Sequence, residues 1–292
     1  MAELTQAVRA ALLEAGAGTC AFLTDTALRG VMELQQLGRL DTLVPGWRGI
    51  VCVVVPYYVR DEEETAAQDM PQISRYARGR DYHIEVKEIL DAGRAVLEAA
   101  GYRGEALVDA SPIPEVRAAA MGGLGVIGRN GLLLTKKWGS WVFIGCLATD
   151  APLAFEAAQE IRGCVDCGAC VRACPAGVLS GENIDCASCL SALSQRSGIF
   201  TEEEAALLRE HGIIWGCDRC QEVCPANACV EETQIEAFRR ERIYTIPESI
   251  GKLQTRRELQ DVWPERAFTW KGVRVLQRNL ELFDREKNTN FR

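Results

Sequence analysis

The chain has 292 residues, 48% apolar and 25% charged, enough to bury one large core or two smaller ones. Its 33 Lys and Arg against 41 Asp and Glu leave a formal charge of −8, which does not mark a dedicated nucleic-acid binder. No stretch has the roughly 18 uncharged apolar residues of a membrane span, and Met1-Ala-Glu-Leu-Thr-Gln lacks the basic and apolar parts of a secretory signal, so the expectation is a cytoplasmic protein with reduced thiols and no membrane association.

Taken in order, Leu4, Val8, Ala11, Leu12 and Ala15 repeat at helical spacing over residues 3–16, and Gly16 and Gly18 stop the pattern. Cys20 to Leu23 reads as a short strand and 27–40 as a helix. Pro45-Gly46 then turns the chain into Ile50 to Val55, a strand apolar on both faces that belongs inside a sheet covered by helices. Residues 61–69 read as an acidic loop. A long helix follows, from about Ile73 or Asp81 through Ala100 to a stop at Gly101, and its opening carries Tyr76 and His83. Glu105 to Val108 forms another strand, with Asp109 at its end, where α/β sheets present functional groups.

Ser111 and Pro112 have the character of a cap and first turn for an alanine-rich helix running to Met121. Gly123, Gly125 and Gly128 form a G-x-G-x-x-G pattern, but it ends a helix instead of following a strand, so a dinucleotide fingerprint is rejected. A loop that lets backbone approach some other large ligand is the alternative. Trp138 to Ile144 reads as a further strand, which makes at least four before the cysteine-rich segment. From Glu231 onward the pattern is helical and loop-like, with thirteen Lys and Arg against eleven Asp and Glu. Arg239, Arg240, Arg242, Arg256, Arg257, Arg274 and Arg278 are candidates for phosphate contacts there.

The most specific signal is in the cysteines. Cys164, Cys167, Cys170 and Cys174-Pro175 have the C-x2-C-x2-C-x3-C-P spacing of a bacterial ferredoxin, and Cys217, Cys220 and Cys224-Pro225 form a second run. That spacing predicts two [4Fe-4S] clusters, because three thiolates of a run hold one cubane and the fourth crosses to the other. Cluster one takes Cys164, Cys167, Cys170 and Cys224. Cluster two takes Cys174, Cys217, Cys220 and a cysteine of the intervening stretch, for which Cys186 and Cys189 compete and Cys186 is preferred. Structural zinc does not use a tricysteine run ending in Cys-Pro as its usual pattern, and disulfides suit short secreted chains.

The resulting expectation is an α/β (α+β) N-terminal domain, residues 1–157, with a central sheet flanked by helices. A two-[4Fe-4S] ferredoxin-like module, 158–232, and a helical and loop segment, 233–292, packed on the core, complete it.

Several stretches together resemble the epoxyqueuosine reductase family, cobalamin-dependent iron–sulfur enzymes that complete queuosine in tRNA. They are Tyr76-Ala-Arg-Gly-Arg-Asp-Tyr-His83, Val108-Asp109, Gly123 to Asn130, Gly139-Ser140, the ferredoxin run, Cys186-Ala-Ser-Cys-Leu and Gly216 to Asn227. The resemblance implies that the N-terminal domain binds base-off cobalamin, that Asp109 donates a proton, and that Tyr76, His83, Asn130 and Ser188 contact the cofactor. It also implies Cys186 as the eighth cluster ligand, tRNA with a queuosine-precursor anticodon as substrate, and an external electron donor such as flavodoxin or ferredoxin. A monomer is expected. Two departures stand out: Cys146 occupies a place where the family pattern has an acidic residue, and the sequence ends at Arg292, where family members commonly continue into helical repeats. The rivals are a corrinoid iron–sulfur reductase of another small molecule, including a reductive dehalogenase, and an electron-transfer protein with no enzymatic activity.

Overall fold

The computed structural model describes residues 1–60, 70–181 and 183–284; the acidic loop expected at 61–69 lies outside them. The chain divides into two compact units, neither of which is contiguous in sequence. The first comprises Met1–Tyr58, His83–Asp166 and Ala226–Ile235, and the second Val59–Tyr82, Cys167–Pro225 and Glu236–Arg292.

A four-stranded sheet organises the first unit, in the order Thr19–Thr24, Gly49–Pro56, Val142–Thr149, Gly104–Leu107. Every pairing is antiparallel. The Gly49–Pro56 strand is buried at all eight positions, as its apolar run of mostly β-branched residues from Ile50 to Val55 implies. Sheets buried on both faces are more often parallel, but here helices cover both faces of an antiparallel one, which is the α+β arrangement.

Alternation along the strands sorts the two faces. Ile50, Cys52, Val54, Cys146 and Ala148 share a core with Ala118 to Met121 and with Leu28, Leu37 and Leu40. On the opposite face, Gly145 lets the Tyr82–Ala99 helix come close, since a Cβ there would lie 2.5 Å from Val86 and 3.0 Å from Leu90. Each fully buried aliphatic side chain contributes about 1.5–3 kcal/mol.

Three local expectations shift. The helix expected over 27–40 is two, Asp25–Arg29 and Leu34–Leu43, separated at Gly30; the second is opened by Gln36 Oε1 accepting the Glu33 N–H at 2.9 Å. The Trp138 strand begins at Val142, because Gly139 sits at φ 57 in a turn whose N–H and C=O both bond to Thr135. Ser111 does not cap the next helix, which spans Glu115–Met121; its hydroxyl takes the Ile113 N–H at 3.0 Å in a turn before it.

In the second unit, Gln72–Ile73 pairs in parallel with Ile213–Trp215. Ile73, Ile214 and Trp215 share a core with Ile246, Ile250, Leu259, Phe268 and Leu276. The final stretch, from Glu236 onward, thus packs into the core of this unit. Asn279 fixes it in place: fully buried, it donates to the carbonyls of Ser194 at 2.7 Å and Ile214 at 2.6 Å.

Candidate functional site

Asp109 follows the Gly104–Leu107 strand with φ 54, a left-handed backbone that a non-glycine residue keeps only when its surroundings enforce it. Its carbonyl accepts the Ser111 N–H at 2.6 Å, and Arg39 reaches the carbonyl of Ala110 at 3.4 Å. The side chain is half-exposed and pairs with His83, Nε2 to Oδ2, at 3.2 Å. His83 lies in the first turn of the Tyr82–Ala99 helix. Two of the residues singled out in the sequence are thus brought together.

Glu115, which was not among them, completes a cluster with these two. Its carboxyl group lies near the Asp109 carboxylate and His83, and its Oε1 is buried with no hydrogen-bond partner. Burial, with the Asp109 carboxylate second, pushes Glu115 up to about 8, against the opposing pull of the Asp109 backbone and of His83. Beneath it, Cys52 and Cys146 face each other across adjacent strands with sulfurs 3.4 Å apart, and their mutual hydrogen bond and burial drive the Cys146 thiol far up. The only sequence signal for Glu115 was its position at the start of a short alanine-rich helix.

The glycine-rich stretch forms a hairpin, Val126–Ile127 against Leu133–Leu134. A Cβ on Gly125 would lie 2.6 Å from the Leu134 carbonyl oxygen, and one on Gly128 would overlap the Asn130 side chain, so the loop is tight enough to require glycine. Asn130 Oδ1 accepts the Leu132 N–H at 3.4 Å, while its Nδ2 is buried without a partner. A buried amide N–H2 left in this way fits a ligand that brings an acceptor. The same hairpin holds the first cysteine: Ile127 N–H bonds to Arg162 C=O at 2.9 Å, Cys164 N–H to Ile127 C=O at 3.0 Å, and Arg129 pairs with Asp166 at 3.1 Å.

The remaining cluster cysteines lie in the second unit. Gly168, at φ 71, starts the Ala169–Ala173 helix carrying Cys170, and this helix packs against Arg219–Glu222, which carries Cys220. Asp218 anchors the second run, taking the Ser74 hydroxyl at 2.6 Å and the Arg75 N–H at 2.7 Å. Cys217 is part-buried, and desolvation pushes its thiol up to about 12, with the Cys220 and Cys189 sulfurs near enough to raise it further. Cys189 stands at the N-terminus of the Leu190–Gln195 helix and is part-buried, whereas Cys186 is exposed. Among the described residues there is no disulfide, and no three metal-ligating side chains have already converged. The Cys220 and Cys189 thiols nevertheless lie on the same side of the fold as Cys217, within electrostatic reach of it.

The other expected residues fall elsewhere. Ser188 is exposed and donates its hydroxyl to Asp185 at 2.6 Å, holding that carboxyl below its usual range. Tyr76 accepts the Trp215 indole N–H at 2.8 Å and meets Tyr82 edge-on, a packing role within the second unit. Arg278, expected among the phosphate contacts, instead donates to the carbonyls of Arg196 and Gly198 and lies 3.8 Å over the Phe200 ring.

This is a double-cluster iron–sulfur protein whose antiparallel-sheet unit carries a constrained aspartate. Residues 163–227 match the family model of a 4Fe-4S double cluster binding domain, and residues 38–110 match the model described as Epoxyqueuosine reductase QueG, DUF1730. Curated epoxyqueuosine reductases are similar. That of Lactococcus garvieae (strain Lg2) is 31% identical over 78% of this chain and 65% of its own length. That of Aliivibrio fischeri is 41% identical over 73% and 58%, and that of a Synechococcus species 32% over 78% and 69%. The chain belongs to the epoxyqueuosine reductase family. It spans 65% and 58% of the length of the first two relatives. Among solved structures, an epoxyqueuosine reductase with an epoxyqueuosine-modified tRNA-Tyr stem loop superposes with a TM-score of 0.78 at 22% identity, covering 96% of this chain and 80% of that one. The enzyme from Streptococcus thermophilus gives 0.75 at 22%, covering 97% and 82%. No described helix is long and apolar enough to cross a membrane.

Proposed function

We propose that the chain reduces epoxyqueuosine to queuosine in tRNA, in the cytoplasm, with base-off cobalamin and two [4Fe-4S] clusters as cofactors and a small redox protein as electron donor. The reading rests on one observation above all: Asp109 is half-exposed, locked at φ 54 and paired with His83, in the same unit as the glycine hairpin that pins Cys164 and leaves Asn130 Nδ2 unsatisfied.

When bound, the clusters supply electrons one at a time and the corrinoid supplies a low-valent cobalt able to deliver two to the substrate. This chain's own residues have the remaining tasks. Removing an epoxide oxygen as water takes two electrons and two protons, and at neutral pH the departing oxygen needs a placed acid. Asp109 is positioned to donate that proton, His83 to orient its carboxyl through Nε2, and Asn130 to hold an acceptor on the bound corrinoid.

Cluster one is proposed to use Cys164, Cys167, Cys170 and Cys224, and cluster two Cys174, Cys217 and Cys220. For the eighth ligand, the geometry favours Cys189 over the Cys186 expected from the sequence: Cys189 is part-buried within electrostatic reach of Cys217, whereas Cys186 faces solvent. The test is anaerobic reconstitution with iron, sulfide and cobalamin, followed by nucleoside mass spectrometry of epoxyqueuosine-containing tRNA. Formation of queuosine supports the reading. Reduction of the free nucleoside alone assigns a smaller substrate, and inactivity on both rejects it.

A further inference from the structure

We propose that an arginine-lined cavity in the second unit holds an RNA backbone phosphate, with Arg266 and Arg242 as its anion ligands and Trp263 as a stacking surface for an adjoining unpaired base. The inference rests on the proposed tRNA substrate and names where this unit grips it.

Three segments of the second unit enclose the cavity, around Arg80, 237–243 and 262–266, and its volume is about 580 Å³. That volume is in the range of small-molecule sites and far more than one phosphate fills. Its charged lining is four arginines against two glutamates, in a chain whose formal charge is −8. Main-chain bonds fix the segments: Arg80 N–H to Ala237 C=O at 3.2 Å, Asp81 N–H to Glu265 C=O at 2.6 Å and Ile243 N–H to Arg78 C=O at 3.0 Å. Both glutamates have left-handed backbone, Glu241 at φ 46 and Glu265 at φ 53, which puts two strained turns in the lining of one cavity.

The arginines are not equivalent. Arg80 meets Glu265 through two contacts, at 2.6 and 3.5 Å, and Arg240 pairs with Glu236. Arg266 differs, since its side chain is 10% exposed while its polar contacts among the described residues are long. They run 3.3 Å to the Arg78 carbonyl and 3.6 Å to a Glu241 carboxylate that is itself 88% exposed. Burial disfavours its charge and lowers its pKa. A guanidinium offers five N–H donors in a planar fork that matches phosphate oxygens, so a phosphate supplies the close partner that Glu241 does not. Arg242 lines the same cavity and lies 5.5 Å over the Tyr244 ring. Trp263, half-buried, is held edge-on to Phe268 at 5.7 Å, beside the exposed Val262. An aromatic plane next to a phosphate site is how proteins hold unpaired RNA bases; a protein carboxylate gains nothing from it.

The experiment measures binding of a fluorescein-labelled anticodon stem loop of unmodified tRNA to the full, cluster-reconstituted chain, by anisotropy at several salt concentrations. Arg266→Gln and Arg242→Gln should each weaken binding at least about fivefold and reduce the slope of log affinity against log salt by about 0.7–1. Trp263→Leu should weaken it at least about fivefold with the slope unchanged, because stacking releases no counterion. Lys252→Gln removes one charge outside the cavity lining and should bind as the wild type does. Iron content and thermal unfolding check the fold of each variant; if Arg266→Gln unfolds, Arg242→Gln and Trp263→Leu carry the decision. No RNA binding by the wild type, wild-type affinity and slope in the folded arginine variants, or equal loss in Lys252→Gln overturns the proposal. Titration with inorganic phosphate and with AMP is the second arm. Either one bound in an Arg266-dependent way, with RNA affinity untouched by the variants, makes this a small-anion site and overturns the RNA assignment. RNA binding that depends on these residues in a chain that forms no queuosine leaves the cavity standing and removes the reduction. Queuosine formation with unaltered RNA binding in the variants does the reverse.

Discussion

Ser140 and Asn227 grip each other reciprocally across 87 positions of sequence: the Ser140 N–H donates to Asn227 Oδ1 at 2.8 Å, and Asn227 Nδ2 donates to Ser140 Oγ at 2.9 Å. Asn227 follows Cys224-Pro225 closely, so this pair ties the chain leaving the second cysteine run to the turn that precedes the Val142–Thr149 strand. Asn227→Ala strands a part-buried backbone N–H and should lower stability by about 1–3 kcal/mol, read from denaturant unfolding. Gly139→Ala should be worse, because the residue has φ 57 and an added Cβ would overlap the Asn227 amide.

Iron analysis separates the two candidate ligands. Cys189→Ser should lose about half the iron bound by the wild type, as expected for one of two cubanes, while Cys186→Ser should retain all of it. Equal loss in both, or loss in Cys186→Ser alone, would return the place to Cys186.

Asp109→Asn keeps the size of the side chain and removes its acidic proton. Turnover should drop by on the order of 10²–10⁴-fold, the usual contribution of a placed acid, with iron content and cobalamin absorption unchanged. His83→Asn should fall less, since it removes the partner that orients the acid and not the acid itself.

Stability should also report the Glu115 environment. The folded-state pKa is raised from 4.5 to about 8, so between those values the folded chain holds a proton that the unfolded chain has released. The sign follows: the stabilising share of this group is fully present below about pH 4.5, declines as pH rises, and is gone above about pH 8. The slope is at most about 1.4 kcal/mol per pH unit. Chemical denaturation at several pH values should show this decline in the wild type and its absence in Glu115→Gln.

Asn279→Leu should be among the more damaging substitutions in the second unit. It removes both donors that satisfy the Ser194 and Ile214 carbonyls inside a packed core, a loss of about 2–4 kcal/mol. A melting temperature no lower than that of the wild type would show that the network does not hold the final helix in place.

Local rules made much of this molecule legible from sequence alone. The cysteine spacing needs only short turns, such as the one opened by Gly168, to direct its thiols, and an unbroken run such as Ile50 to Val55 has no stable place except between two covering layers. The place of Asp109 at the end of a strand is a local feature, whereas its expected role came from the resemblance of the stretches around it. Tertiary structure decided the rest. Whether the strands run parallel or antiparallel depends on the return paths between them, and the nearness of Cys189 to Cys217 depends on where a helix start lands. That Glu115 is buried near Asp109 follows from where a short helix docks on the sheet. Periodicity and spacing record what a residue does within its own segment, but burial and electrostatics are set by which distant segments arrive beside it.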